Sequence, residues 1–325
     1  MLHRRACLRF ALAALGLAVA LPAAAQSFPS KPVRIVVPQT PGGSSDALAR
    51  IIAQKLNEKW KEPVVVENKP GAGGNIGAEL VAKAPGDGTT LLMSYAGTQA
   101  INPSLYTSLT YDSVKDFAPT ATLASVPFVL IVNKDLPAKN LDEFLTLARA
   151  KPDQIAYGSA GNGSVNHLLG VMMSTDANVK LMHIPYRGAA PALTDLMSGQ
   201  IQAVFTSLPS VIGHIREGTV RPLAVTSAKR AGAAPDVPTV AEAGVPGFDV
   251  NPWFGLLAPA STPPALVRQI NADVNAALQE KETIDRMKDQ GAEPLVTTPE
   301  QFLALLRADV EKWAKVVKAS GAKLD

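Results

Sequence analysis

The residues of this chain best suited to chemistry sit in three glycine-rich corners: Pro38–Asp46, Glu67–Glu79 and Tyr157–Leu168. Each follows a short apolar run and precedes a helical pattern, so each can aim unpaired backbone N–H groups at one shared anion. The first corner reads Gln39, Thr40, Pro41, Gly42, Gly43, Ser44, Ser45, Asp46, which sets a carboxylate beside donors that favour an anion. If Gly43 or Ser44 caps the helix, Asp46 falls in its first turn, where it can accept backbone N–H groups and oppose the helix dipole. The alternative is direct contact with a donor on a ligand or its water. The third corner holds Ser159, Ala160, Gly161, Asn162, Gly163 and Ser164, with His167 one turn beyond Ser164. Tyr186, Arg187 and Gly188 end a strand and enter a helix, where Arg187 either pairs with a carboxylate or caps a surface edge. Ser207 sits at another strand end and reads as a turn or a polar contact. Taken singly, each corner is ordinary turn chemistry; three in one chain point to a common task.

Enzyme signatures fail on inspection. Ile76 stands where a dinucleotide fingerprint needs its third glycine, and no glycine run is followed by the lysine of a phosphate loop. Tyr157 takes the first glycine position of a nucleophile elbow centred on Ser159, and Ser164 lacks the flanking pattern too. His183 and His214, like His167, have no metal-ligand spacing, and both read as structural. An exported hydrolase using Ser159 or Ser164 stays open as the rival from another class, although no base and acid can be paired with either serine.

The corners need elements to hold them. Val33–Val37, Val64–Glu67 and Thr90–Met93 are strand-like, and Ser44–Lys59 and Ile76–Lys83 are helical, with Leu48, Ile52 and Leu56 recurring at i, i+4. A second run alternates in the same way: Phe128–Val132, helix Leu141–Ala150, Ile155–Tyr157, helix Val165–Ser174, Lys180–Pro185, helix Ala189–Ser198, Ala203–Phe205, a short helix near Val211–Arg216, and Val220–Val225. Such βα alternation predicts an α/β fold with mostly parallel sheets and helices on both faces. Capping-box spacing at Asn140/Glu143 and Thr298/Gln301 marks helix starts, and the tail reads as helices at Pro263–Leu278, Thr283–Gln290 and Pro299–Ser320. Breaks near Ser125-Val126-Pro127 and Gly244–Pro252 are the candidate crossings between two domains. Trp253 and Phe254, just beyond the second break, read as core or hinge packing, with a cleft platform as the other option.

Composition narrows the class. Arg4, Arg5 and Arg9, the apolar run Phe10–Leu21 and Ala23-Ala24-Ala25 read as an export signal over residues 1–25, cleaved between Ala25 and Gln26. That segment holds three of the 31 Lys and Arg and none of the 28 Asp and Glu, so the remainder carries 28 of each. A balanced charge leaves no footprint for nucleic acid. Cys7, the single cysteine, departs with the signal, so disulfide and thiol chemistry are not expected. No cofactor and no metal are implied.

The stretches "FPSKPVRIVVPQTPGGSSDALARIIAQKL", "VVVENKPGAGGNIGAELVAKAPGDGTTLL", "YGSAGNGSVNHLLG", "IPYRGAAPALTDLMSGQIQAVF" and "RPLAVTSAKR" with "VPTVAEAGVPGF" resemble, in order and over essentially all of Phe28–Asp325, the Bug family of receptors for tripartite tricarboxylate transporters. The resemblance implies a periplasmic two-lobed Venus-flytrap protein of the type II class. It implies a small organic acid in the cleft, delivery to membrane permease subunits, and no catalysis. Lobe 1 would comprise residues 26–125 plus 248–325, lobe 2 residues 126–247, and the protein would act as a monomer. A receptor coupled to a sensor is the alternative within that class. The family's contact loops fall on Gln39–Asp46 in lobe 1, and on Ser159–Ser164, His167 and Tyr186–Gly188 in lobe 2. One departure stands out: relatives commonly have an aromatic residue after Pro38, whereas this chain has Gln39 and Thr40.

Overall fold

The structure is a computed structural model that describes residues 28–325. The export signal expected at residues 1–25 lies outside the described residues.

The first half of the chain forms β1 (Val33–Val37), α1 (Ser44–Trp60), β2 (Val64–Asn68), α2 (Asn75–Ala82), β3 (Thr90–Tyr95), α3 (Asn102–Leu105), β4 (Phe117–Ser125) and β5 (Phe128–Asn133). Then come α4 (Leu141–Ala150), β6 (Ala156–Ser159), α5 (Val165–Asp176), β7 (Met182–Pro185), α6 (Ala189–Met197), β8 (Ala203–Ser207), α7 (Ile212–Arg216) and β9 (Val220–Val225). The tail adds β10 (Trp253–Pro259), α8 (Pro264–Leu278), α9 (Lys281–Asp289), β11 (Glu293–Pro294) and α10 (Pro299–Ser320).

The strands make two sheets, a six-stranded one ordered β11-β4-β10-β3-β1-β2 and a five-stranded one ordered β7-β6-β8-β5-β9. The fold is therefore α/β and two-lobed, with mixed sheets. The balance differs from the mostly parallel expectation. The pairs β1–β2, β1–β3, β6–β7 and β6–β8 are parallel, whereas β10 and β11 run antiparallel in the first sheet and β5 does so against β8 and β9 in the second. Local βα alternation builds only the parallel half of each sheet. The antiparallel half comes from β4, β5, β9 and β10, the strands on either side of the crossings between the sheets.

Both faces of the first sheet are buried. Val33, Ile35 and Val37 of β1 pack with Leu48, Ile52 and Leu56 of α1 and Ile270 and Val274 of α8, while the alternate residue Val36 faces the other way. The second cluster there is shared between the sheets: Phe302, Leu306, Trp313 and Val317 of α10 lie with Leu168, Leu169 and Met173 of α5 and with Leu130, Tyr157 and Phe205 of the second sheet. The C-terminal helix thus ties the two halves together. The Thr298/Gln301 capping box at its start is complete in both directions. At α4 only half of the box forms: Asn140 accepts from the Glu143 N–H, but the Glu143 carboxylate accepts from the Lys139 N–H and the Asn140 amide.

The crossings run side by side. The Val126 N–H donates to the Pro252 carbonyl at 3.0 Å, the Val250 N–H to the Thr226 carbonyl at 2.8 Å, and the Thr226 hydroxyl back to the Val250 carbonyl at 2.6 Å. Trp253 lies at the start of β10 with its indole N–H on Asp309 at 2.8 Å and its ring against Phe302, so it packs in the core next to the crossings.

Candidate functional site

Parallel strands in open sheets present ligands with the crevice outside their carboxyl ends. In the first sheet the corner after β1 and the π-turn Gly97–Ile101 after β3 meet at that edge: the Gln39 amide donates to the Thr98 hydroxyl at 3.2 Å. Thr98 passes its own proton to the Gly73 carbonyl at 3.0 Å, which draws the second glycine-rich corner into the same network. Gln39 Oε1 is left buried with no partner.

Asp46 organises this edge. It is only 5% exposed, and its carboxylate accepts from the Gly42 N–H at 3.0 Å, from Asn68 at 3.1 Å and from the Arg50 guanidinium at 2.9 Å and 3.1 Å. Asn68 also donates to the Gln39 carbonyl at 3.1 Å, so both ends of the corner hang on one cluster. Burial alone would raise the Asp46 carboxyl, but the Arg50, Gly42 and Asn68 bonds outweigh it and hold the group below its ordinary value. The capping expectation needs a correction in detail. Gly43 is the N-cap and no side chain bonds the first turn of α1; Asp46 reaches back to the loop ahead of the helix instead. The N–H groups of Gly43, Ser44 and Ser45 accordingly find no acceptor among the described residues. Thr40, Gly42, Gly43 and Ser44 are all exposed on this rim.

In the second sheet the corner after β6 is pinned from below. Ser159 is fully buried; its hydroxyl accepts from the Gly161 N–H at 3.1 Å and lies 2.6 Å from His183 Nε2. Ser164 caps α5 by accepting the His167 N–H at 3.3 Å and donates to the Gly161 carbonyl at 2.7 Å. His167 Nδ1 accepts the Gly163 N–H at 3.1 Å, and its ring stacks on His183 with centroids 3.9 Å apart. Ala160 and Asn162 form the outward part of the corner, and the N–H groups of Asn162, Val165 and Asn166 have no acceptor among the described residues.

Tyr186 joins this corner through its backbone, its N–H donating to the Ser159 carbonyl at 3.1 Å. Its hydroxyl donates to Asp195 at 2.7 Å; burial, then the Asp195 carboxylate, push that hydroxyl up to about 12. Gly188 caps α6 with φ of 130°, a backbone that suits glycine. Arg187 is exposed and has no carboxylate partner among the described residues. Ser207 bonds Ser210 at 2.6 Å in the turn after β8. That is turn chemistry, apart from the hydrogen bonds of the Ser159 corner.

The two edges meet at α3. A Cβ built on Gly163 would stand 2.4 Å from Leu105 Cδ2, so the Leu105 side chain occupies the space glycine leaves in the opposite corner. Neither candidate serine has the apparatus of a nucleophile: Ser159 is sealed from solvent, the Ser164 hydroxyl is taken up by the Gly161 carbonyl and the His167 N–H, and no carboxylate bonds His183 or His167 among the described residues. No group of three or more metal-ligating side chains occurs among the described residues either.

Comparison with known proteins agrees with this geometry. Residues 48–322 match the family described as "TctC: Tripartite tricarboxylate transporter family receptor". The chain belongs to that family. It is 38% identical to Protein BugT of Bordetella pertussis over 94% of both chains. Among solved structures it is similar to Rpa4515 of R. palustris with adipate, at 38% identity and a TM-score of 0.79, covering 91% of this chain and 100% of that one. It is also similar to MatC of Rhodopseudomonas palustris with bound malate, at 35% identity and a TM-score of 0.73, covering 89% and 100%. The TctC family consists of solute-binding receptors, not enzymes, and its members are periplasmic binding proteins.

Sequence reasoning missed two parts of the site. The spacing of His183 matches no motif, and only β7 brings it against Ser159, 24 residues away. Arg50 and Asn68, the partners of Asp46, had no signal beyond the i, i+4 spacing of Asp46 and Arg50.

Proposed function

We propose that this TctC-family receptor captures a small dicarboxylate between its two sheets and delivers it to the membrane subunits of a tripartite tricarboxylate transporter. The observation that carries the reading is that each sheet has a corner at the carboxyl end of a parallel strand, after β1 and after β6, with unpaired N–H groups at a helix start and no internal anion free to fill it. Oriented N–H groups hold a carboxylate without net charge, and two such sets suit a ligand with a carboxylate at each end. Relatives at 38% and 35% identity carry adipate and malate, both dicarboxylates. In this reading the contacts are Gln39, Thr40, Gly42, Gly43 and Ser44 on one side, and Ala160 to Ser164 with Tyr186, Arg187 and Gly188 on the other. Arg187, exposed and without an internal partner, is the cation available to the distal carboxylate.

The lobes that close on the ligand are residues 26–125 with 248–325, and residues 126–247, joined at the paired crossings. The mature protein begins at Gln26, works as a monomer in the periplasm, and meets a permease in preference to a sensor. Calorimetry against succinate, malate, adipate and acetate tests the reading, with thermal stabilisation as the second readout. Binding of at least one diacid well ahead of acetate, without ester turnover, is expected. Failure of every diacid, or hydrolysis of a simple ester abolished by Ser159→Ala, would overturn it.

A further inference from the structure

The second-sheet corner rests on two imidazoles rather than on a carboxylate or a cation. Counting protons assigns the state of His167. The Gly163 N–H points at His167 Nδ1, so that nitrogen carries a lone pair and the proton sits on Nε2. The Ser159 hydroxyl accepts from the Gly161 N–H at 3.1 Å and lies 2.6 Å from His183 Nε2, so it links the loop to His183 whichever of the two atoms carries the shared proton. His167 is therefore neutral, and the two chains His167–Gly163 and His183–Ser159–Gly161 hold alternate residues of one five-residue loop.

The surroundings leave nothing to balance a charge there. Tyr157 of β6 donates to the His167 carbonyl at 3.1 Å and lies 5.1 Å from the His183 ring, and its own hydroxyl is held neutral by burial. Phe205 of β8 packs behind Tyr157, and α10, which packs on α5, lends Phe302, Leu306 and Trp313 to the same core. No Asp, Glu, Lys or Arg among the described residues forms a hydrogen bond or ion pair with either ring.

We propose that His167 is a positioning residue for ligand binding, braced by His183, and that protonating the stacked pair loosens the 160–164 loop and weakens the hold on the ligand. A second proton on His167 must go to Nδ1, where the Gly163 N–H already points; two donors then face each other and the loop has to move. A second proton on His183 sets a positive charge 3.9 Å from the other ring with no counter-charge. Burial holds both imidazoles below their ordinary value, so the pair stays neutral at pH 7 and charges only in acid. This inference rests on the reading of the loop as a ligand contact.

The test uses the mature protein with His167→Asn, whose amide oxygen can accept the Gly163 N–H without titrating, and His167→Leu, which cannot. Affinities for malate and adipate are measured from pH 8 to pH 4.5 and divided by those of His167→Asn, which cancels the titration of the acids themselves. The ratio is expected to hold from pH 8 to about 6.5 and then fall about tenfold for each pH unit below the His167 pKa. His167→Leu should bind more weakly at every pH. The Gly163 amide signal, followed by 15N NMR without ligand, should shift with the His167 ring titration in the wild type and stay fixed in His167→Asn. A constant affinity ratio down to pH 4.5, or a Gly163 amide indifferent to the His167 titration, overturns the proposal. If neither acid binds, the dicarboxylate reading fails, and the Gly163 amide still decides whether His167 holds the loop.

Discussion

Replacing Asp46 by Asn keeps the size of the side chain and removes its charge, which isolates what the carboxylate does for the first corner. In the structure its two oxygens accept from Gly42, Asn68 and two nitrogens of Arg50. Asn has one acceptor oxygen. If that oxygen serves Gly42, the new NH2 faces the Asn68 amide and the Arg50 guanidinium, donor against donor. A hydrogen bond to a charged group contributes about 1.5–3 kcal/mol, whereas the Arg50 pair, with the guanidinium about half exposed, contributes at most about 1 kcal/mol. The net loss is about 1.5–3 kcal/mol, or roughly 3–6 °C of melting temperature at about 2 °C per kcal/mol for a chain of this length. Because the displaced Asn68 also holds the Gln39 carbonyl in the proposed ligand rim, the affinities for different diacids should weaken together, with their order unchanged. Differential scanning calorimetry and a malate, succinate and adipate titration on the same variant supply both readouts. An unchanged melting temperature with a changed order of acids would refute the scaffold role and put the Asp46 carboxylate in direct contact with the ligand.

Gly163→Ala should cost about 1–2 kcal/mol from its φ of 74° alone, with a further loss from the 2.4 Å approach to Leu105; Leu105→Ala, which leaves a core cavity of its own, should cost less in the Gly163→Ala chain than in the wild type, and a double-mutant cycle without that coupling would contradict this. Trp253→Phe removes the indole N–H on the buried Asp309 and should lower stability by about 1–3 kcal/mol in urea titration; a loss below about 0.5 kcal/mol would mean that Lys312 alone satisfies that carboxylate. Burial, then His167, hold the His183 imidazole down to about 4. The folded pKa lies below the unfolded one, so the unfolded chain takes up the proton first; the stability is full above about pH 6.5 and is lost as pH falls toward 4. Melting curves across that window should be steeper for wild type than for His183→Gln, and parallel curves would rule His183 out as the source.

Elements built from near neighbours were legible in the residues themselves. Leu48, Ile52 and Leu56 recur at helical spacing, and Thr298 with Gln301 marks a helix start, because the forces that form a turn of helix act over three or four positions. The βα alternation announced parallel strands with helices on both faces, and the glycine corners announced helix starts with donors to spare. The antiparallel halves were not legible. β10 pairs with β4 more than a hundred residues earlier, and no local pattern of turn or helix spacing can mark a partner at that distance. The candidate site divides in the same way. Ser164 beneath His167 is a local cap and could be read from the chain, as could the first-turn position of Asp46. That Asp46 turns back to Gly42 and Asn68, and that His183 comes from another strand to meet Ser159 and stack on His167, required the sheet register that sets β7 beside β6. The sequence states which groups can donate and accept. Only the tertiary structure determines which of them are brought within three ångströms and sealed from water, where one such bond outweighs its counterpart in solvent.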